Sequence, residues 1–235
     1  MMQQDFPNGT LLLPQCEPLG PEAGILRDWA AYPEHTVAVI AAIVVVLACT
    51  PNFKILLPFV TSCMSRARAC IPMERNLSLA RRRNFTTFLM CLPLALTISR
   101  YRLYEPTFLE DLYGWRYLLG IFAMMGAYFG IKYLFGRGRN AERDVMTAAR
   151  NVQYTFLLAC STAVTVTVAV LAAFGAPDAA ATGFIYTELA VFYLLSVIRC
   201  SQILAISHSP FGTILYLCRL ELVPTALLVL SATLL

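Results

Sequence analysis

The chain has 235 residues, of which 58% are hydrophobic and 14% charged, and its 18 Lys and Arg against 14 Asp and Glu leave a net charge of +4. A soluble domain carries about 25% charged residues and roughly 45–50% apolar ones, so an ordinary soluble globule is excluded and an all-α, polytopic transmembrane bundle is expected. The sequence offers no stacking or phosphate-cradling motif for nucleic acid; the positive excess suits anionic lipid headgroups, at about 1 kcal/mol per basic residue near the surface.

Residues 1–35 read as an acidic extracytoplasmic segment, with Asp5, Glu17, Glu22, Asp28 and Glu34 set against Arg27. MMQQDF lacks the positive n-region of a cleavable signal peptide. Residues 36–235 read as one transmembrane helical domain. Hydrophobic runs near 36–58, 85–104, 115–135, 154–175, 183–206 and 211–235 each approach the roughly 20 residues that span a hydrocarbon core. Between the first two lies a basic segment, 64–84, with Arg66, Arg68, Arg75, Arg81, Arg82 and Arg83 against Glu74. Pro72 is suited to opening a short interfacial helix there, with Met73, Leu77 and Ala80 on its apolar face; a solvated basic loop is the alternative.

The next connection balances its arginines with Glu105, Glu110 and Asp111. At and beyond the end of the third span Lys132, Arg137, Arg139, Arg143 and Arg150 gather against Glu142 and Asp144, GAPDAAATG has no basic residue, and SHSP is bordered by Arg199. Lys and Arg accumulate in cytoplasmic connections, and six spans with both termini outside the cytoplasm satisfy this alternation. Trp115, Tyr101, Tyr104, Tyr113 and Tyr117 crowd the ends of the second outer loop as interfacial anchors.

Within the spans, Gly126 and Gly130 form a GxxxG that marks close helix packing, within the chain rather than between chains. Ser161, Thr162, Thr165 and Thr167 are expected to bond back to helical carbonyls. The eight cysteines form no CxxC or zinc spacing and read as small buried hydrophobes. His35 and His208 fall on opposite sides of the membrane. No HExxH, GxSxG or Walker loop appears, so the expectation is a non-enzyme with no metal site, no catalytic residue and no cofactor.

The anomalies are ionisable residues at membrane depth: Glu188, Arg199, Arg219 and Glu221. A buried charge persists only if it is paired or changes protonation state. The short turn between the last two spans makes them antiparallel neighbours, and counting from it sets Arg199 within reach of Glu221. An Arg199–Glu221 ion pair is therefore expected, with Arg219 snorkelling toward the headgroups and Pro224 depriving the Leu220 carbonyl of its helical donor.

The segment LYLCRLELVP, preceded by an arginine-bearing helix and a short turn, resembles the C-terminal signature of a Bacteroidetes inner-membrane family known only as a domain of unknown function. Tyr216, Leu217, Cys218, Glu221 and Pro224 carry the likeness, and Arg219 departs from it. The resemblance implies a multi-pass protein of a bacterial inner membrane and brings no activity with it. The function expected is that of a subunit or accessory factor of a cell-envelope complex, such as one for protein export or secretion, partnered by other membrane subunits. A small proton- or ion-coupled transporter using Glu221 and Arg199 is the alternative.

Overall fold

The computed structural model describes residues 33–110, 112, 114–135, 143–206 and 209–234. Among these every element is helical: α1 (Pro33–Ser65), a 3₁₀ turn (Ala67–Ala69), α2 (Cys70–Arg75), α3 (Leu77–Arg100), α4 (Thr107–Glu110), α5 (Trp115–Phe135), α6 (Arg143–Ala173), α7 (Asp178–Leu204), α8 (Pro210–Leu217), a π-helical turn (Cys218–Leu222) and α9 (Val223–Leu234). The acidic segment up to residue 32, Tyr113, Arg137, Arg139 and His208 lie outside the described residues.

Among the described residues four stretches are long and apolar enough to cross a membrane: His35–Ser65, Trp115–Leu134, Thr147–Ala173 and Asp178–Leu204, of 31, 20, 27 and 27 residues. The other two expected spans differ for visible reasons. Helix α3 begins at Leu77, so its first turns carry Arg81, Arg82 and Arg83. The last hydrophobic run is divided by the π turn into α8 and α9.

Local chemistry sets the helix ends. Asn76 caps α3 by accepting from the Leu79 N–H at 3.3 Å. Ser209 caps α8 by accepting from Gly212 at 3.3 Å, and Pro210 follows at the first helical position, where its missing N–H costs nothing. Beyond α6 the chain closes with Gly175 at φ +64°; Ala176 donates to the Leu171 carbonyl and Gly175 to that of Ala172, a helix stop that wants glycine in the left-handed conformation.

Asn76 also corrects the reading of the basic segment. The short helix there ends at Arg75, and the chain restarts as α3 with Leu77 78% exposed while Met73 and Ala80 are buried. No single apolar face through Met73, Leu77 and Ala80 forms. A second correction concerns cysteine, since Cys63 at the end of α1 and Cys70 at the start of α2 are joined as a disulfide.

Helix α6 sits centrally, packed against α1, α2, α3 and α7, while α5 bridges α3 to α9. Cys63, Cys70, Ala149, Phe156 and Ile203 knit the end where α1 stops and α6 starts. The close-packing expectation at Gly126 and Gly130 does not hold within the chain. A Cβ at either position would meet nothing within 4 Å, and both lie on an exposed face of α5. The close approach along α5 is at Gly120, where a Cβ would stand 2.7 Å from a Leu109 methyl.

Candidate functional site

Pro224 has no N–H, so the helix that passes through Glu221 cannot keep its regular ladder. The chain responds with a π turn, in which the Val223 N–H reaches back five residues to the Cys218 carbonyl. The added residue turns the local face by roughly one helical position, about 100°. Glu221 thereby comes within reach of α5 and bonds there, not to Arg199 on α7.

There it meets Lys132. The Lys132 ammonium donates to Glu221 Oε2 at 2.5 Å, with both residues about 98% or more buried. Lys132 Nζ also stands 4.9 Å from the centre of the Tyr128 ring, a cation over an aromatic face. The Tyr128 hydroxyl lies 3.4 Å from Thr225 Oγ1, one turn beyond Glu221. The pair borders a cavity of about 150 Å³ between α5, α6, α7 and the π turn, walled by Phe129, Phe156 and Phe192 and reached by Gln153, Tyr193 and Ser196. That volume has room for several water molecules. Its polar groups are incompletely matched, for Glu221 Oε1 and Gln153 Oε1 are both buried with no hydrogen-bond partner among the described residues.

The expected Arg199–Glu221 pair is therefore corrected. Arg199 turns the other way and caps α1: its Nη2 donates to the carbonyls of Met64 and of Ser65, the latter at 2.8 Å, and its Nη1 to Gln202 Oε1 at 2.7 Å. The last carbonyls of a helix lack intrahelical donors and carry the negative end of its dipole, so α1 offers the guanidinium a site nearer the bundle's end than Glu221. Arg219 has an exposed side chain on the π turn. Glu188 is half-buried and accepts from the Thr167 hydroxyl at 2.5 Å across the α6–α7 contact, while its Oε2 is screened and unmatched among the described residues. Of the hydroxyls on α6, Thr162 and Thr165 bond back to their own helix as expected, whereas Ser161 crosses to the Met90 carbonyl at 3.2 Å.

A second buried ion pair stands at the start of α3. Arg83 and Glu74 are bonded, Asn151 on α6 donates to the other Glu74 oxygen at 2.8 Å, and Arg83 Nε and Nη2 share Asn84 Oδ1 at 3.0 and 2.7 Å. Arg83 is 1% exposed. In the sequence it stands among the arginines of the basic segment; its three-residue spacing from Ala80 and to Thr86, all buried on one face of α3 while Arg81 and Arg82 are exposed, is the signal that sets it apart.

Among the described residues no three His, Cys, Asp or Glu are grouped to hold a metal ion. No protein-family model, curated protein or solved structure matches this chain.

Proposed function

We propose that this chain is an integral membrane protein that passes protons, with Glu221 taking up and releasing the proton and Lys132 as its counter-charge. The observation that carries the reading is the buried, unmatched Glu221 Oε1 beside a cavity with room for several waters. Intramembrane ionisable groups are costly and default to functional sites, and π turns recur at such sites. When a proton from cavity water adds to Glu221, the attraction holding Lys132 to it is removed. The unmatched Gln153 carbonyl oxygen on the same cavity then offers the ammonium an alternative acceptor, while the Tyr128 ring, already 4.9 Å away, remains a contact. Return of Lys132 favours release of the proton.

The test is proton flux into vesicles that hold a pH-sensitive dye, driven by a potassium diffusion potential. Wild-type protein should exceed protein-free vesicles severalfold, and a folded variant with Lys132→Met and Glu221→Leu should not exceed them. A wild-type rate equal to the protein-free rate overturns the reading.

We place the protein in a bacterial inner membrane, on the resemblance at residues 216–224, with six spans and both termini outside. The argument for this orientation is the row of arginines between Arg66 and Arg83. The Cys63–Cys70 bond at the same end argues the opposite way, since disulfides persist in oxidising compartments. The charges weigh more, because several arginines act together against one covalent link. Reporter fusions should place residue 75 in the cytoplasm and residues 108 and 178 outside. Residue 75 outside would invert the bundle and leave the disulfide at home.

The open face of α5 favours a second reading, that of a subunit of an envelope complex such as one for export or secretion. Small residues let another membrane helix approach closely, and Gly126 and Gly130 have nothing against them within this chain. Gly126→Leu and Gly130→Leu should leave folded yield and melting temperature of the purified chain unchanged. If they also strip co-purifying subunits in mild detergent, the second reading gains; a loss of folded yield would show that the face is used within the chain.

A further inference from the structure

Glu188 is a carboxylate at membrane depth that belongs to neither buried ion pair. It lies on α7, one of the helices long and apolar enough to cross a membrane. Counted from Asp178 at the start of that helix, it is ~15 Å along the axis at ~1.5 Å per residue. Its Oε1 accepts from the Thr167 hydroxyl, and its Oε2 is screened from the surface with no hydrogen-bond partner among the described residues. No cation pairs with it among the described residues. A buried charge persists only if it is paired or changes protonation state. A screened oxygen is not presented to a neighbouring subunit, so its next partner comes from within the bundle.

The same two helices lead from Glu188 to the Lys132–Glu221 pair. Gln153, Phe156 and Cys160 of α6 and Ser196, Phe192 and Leu189 of α7 line the cavity beside that pair. Each set recurs at three- and four-residue spacing, so it forms one face of its helix. On α6 that spacing runs on from Cys160 to Val164 and Thr167, and on α7 it runs back from Phe192 to Glu188 and from Leu189 to Ile185. Thr167 and Glu188 therefore stand on the seam that holds the cavity, ~10 Å beyond Cys160 at ~1.5 Å per residue. The Cys160 thiol, at the cavity wall, lies in the electrostatic field of the Glu188 carboxylate. Between cavity and carboxylate the seam is closed by Val164 and Ile185, both 0% exposed, packed with Leu94, Cys160 and Leu189. The titratable side chains in that cluster are the Cys160 thiol and the Tyr101 phenol, and neither becomes a cation.

We infer that Glu188 is a second proton site, in series with Glu221, with Thr167 as its positioning residue; the inference rests on the proton-conducting reading. Carboxylates spaced through a bundle serve as proton relays in membranes. The step moves one proton and no electrons. The Glu221 carboxylic acid gives its proton to cavity water, and that water gives one to the Glu188 carboxylate. The products are a Glu221 carboxylate, again paired with Lys132, and a Glu188 carboxylic acid that releases its proton toward the end where α7 begins. The Thr167 hydroxyl holds Oε1 and so leaves Oε2 to take the proton. Val164 and Ile185 form an apolar constriction, which gates by wetting and keeps the two carboxylates from being joined by water at rest.

The test uses the full chain in dye-loaded vesicles and reads two quantities. Glu188→Gln keeps an acceptor for Thr167 and removes the oxygen that titrates. Proton flux should fall severalfold, toward the protein-free rate, with the melting temperature unchanged, and Glu188→Asp should restore part of it. Thr167→Val should lower flux, and Thr167→Ser should keep it. The second readout is dicyclohexylcarbodiimide, which partitions into lipid and adds to protonated carboxyl groups. Peptide mass spectrometry of the wild type should find the adduct on Glu188, rising as the pH is lowered, with flux lost in step. Should Glu188→Gln not fold, this labelling decides: an adduct on Glu188 without loss of flux, or no adduct at any pH, overturns the inference. Wild-type flux above the protein-free rate with folded Glu188→Gln equal to it overturns this inference alone. A wild type at the protein-free rate overturns the underlying reading and this one with it.

Discussion

Lys132→Met alone, or Glu221→Leu alone, should each cost about 3–5 kcal/mol of stability, because removing one partner of a buried ion pair strands the other. The cost has a ceiling, since a stranded ion can neutralise itself; ordinary lysine and glutamate pKa values put that escape at about 4–5 kcal/mol at pH 7. The double variant, with both side chains apolar and of similar size, should recover most of the loss, as paired buried charges are often replaceable by well-packed hydrophobes. Equilibrium unfolding in mixed micelles measures all three. Arg199→Leu supplies the control. It removes bonds to the Met64 and Ser65 carbonyls, and its cost should add to that of Glu221→Leu within about 0.3–0.5 kcal/mol, as for sites with no shared partner. Strong coupling between Arg199 and Glu221, or none between Lys132 and Glu221, would refute the pairing.

Why the sequence exposed Glu221 but not its partner has a physical answer. Hydrophobic length is a one-dimensional property, so α1, α5, α6 and α7 were legible as apolar runs, and a carboxylate inside such a run is conspicuous. Partner choice depends on which helices touch and on the face each presents. Counting along the last hairpin assumed a regular helix through Glu221, and the π turn rotates that face toward α5. Pro224 was the available warning, because a proline there must break the ladder. Lys132 was hidden by its position near the end of a span, where it reads as one of a basic cluster. For Gly126 and Gly130, spacing alone does not say whether a small-residue face looks into the chain or out of it.

The second large effect is expected at the other buried pair, and it separates structure from function. Glu74 has both oxygens occupied, one by Arg83 and one by Asn151, whereas Glu221 has one oxygen unmatched. A fully satisfied buried network rigidifies the fold, and a partly satisfied one keeps capacity for another partner. Glu74→Leu should therefore destabilise by about 3–5 kcal/mol, because Arg83 cannot neutralise at accessible pH and lies at the contact of α3 with α6, with Tyr154 at 6.0 Å. Arg83→Lys should still cost about 1.5–3 kcal/mol, on the scale of a charged hydrogen bond, since lysine lacks the planar fork that spans Glu74 and Asn84. Flux per folded molecule in vesicles should remain at the wild-type level in both. A Glu74 variant that folds normally yet loses flux would move the proton-handling role to this end of the bundle, because its carboxylate would then be shown to act in conduction and not in holding α2, α3 and α6 together.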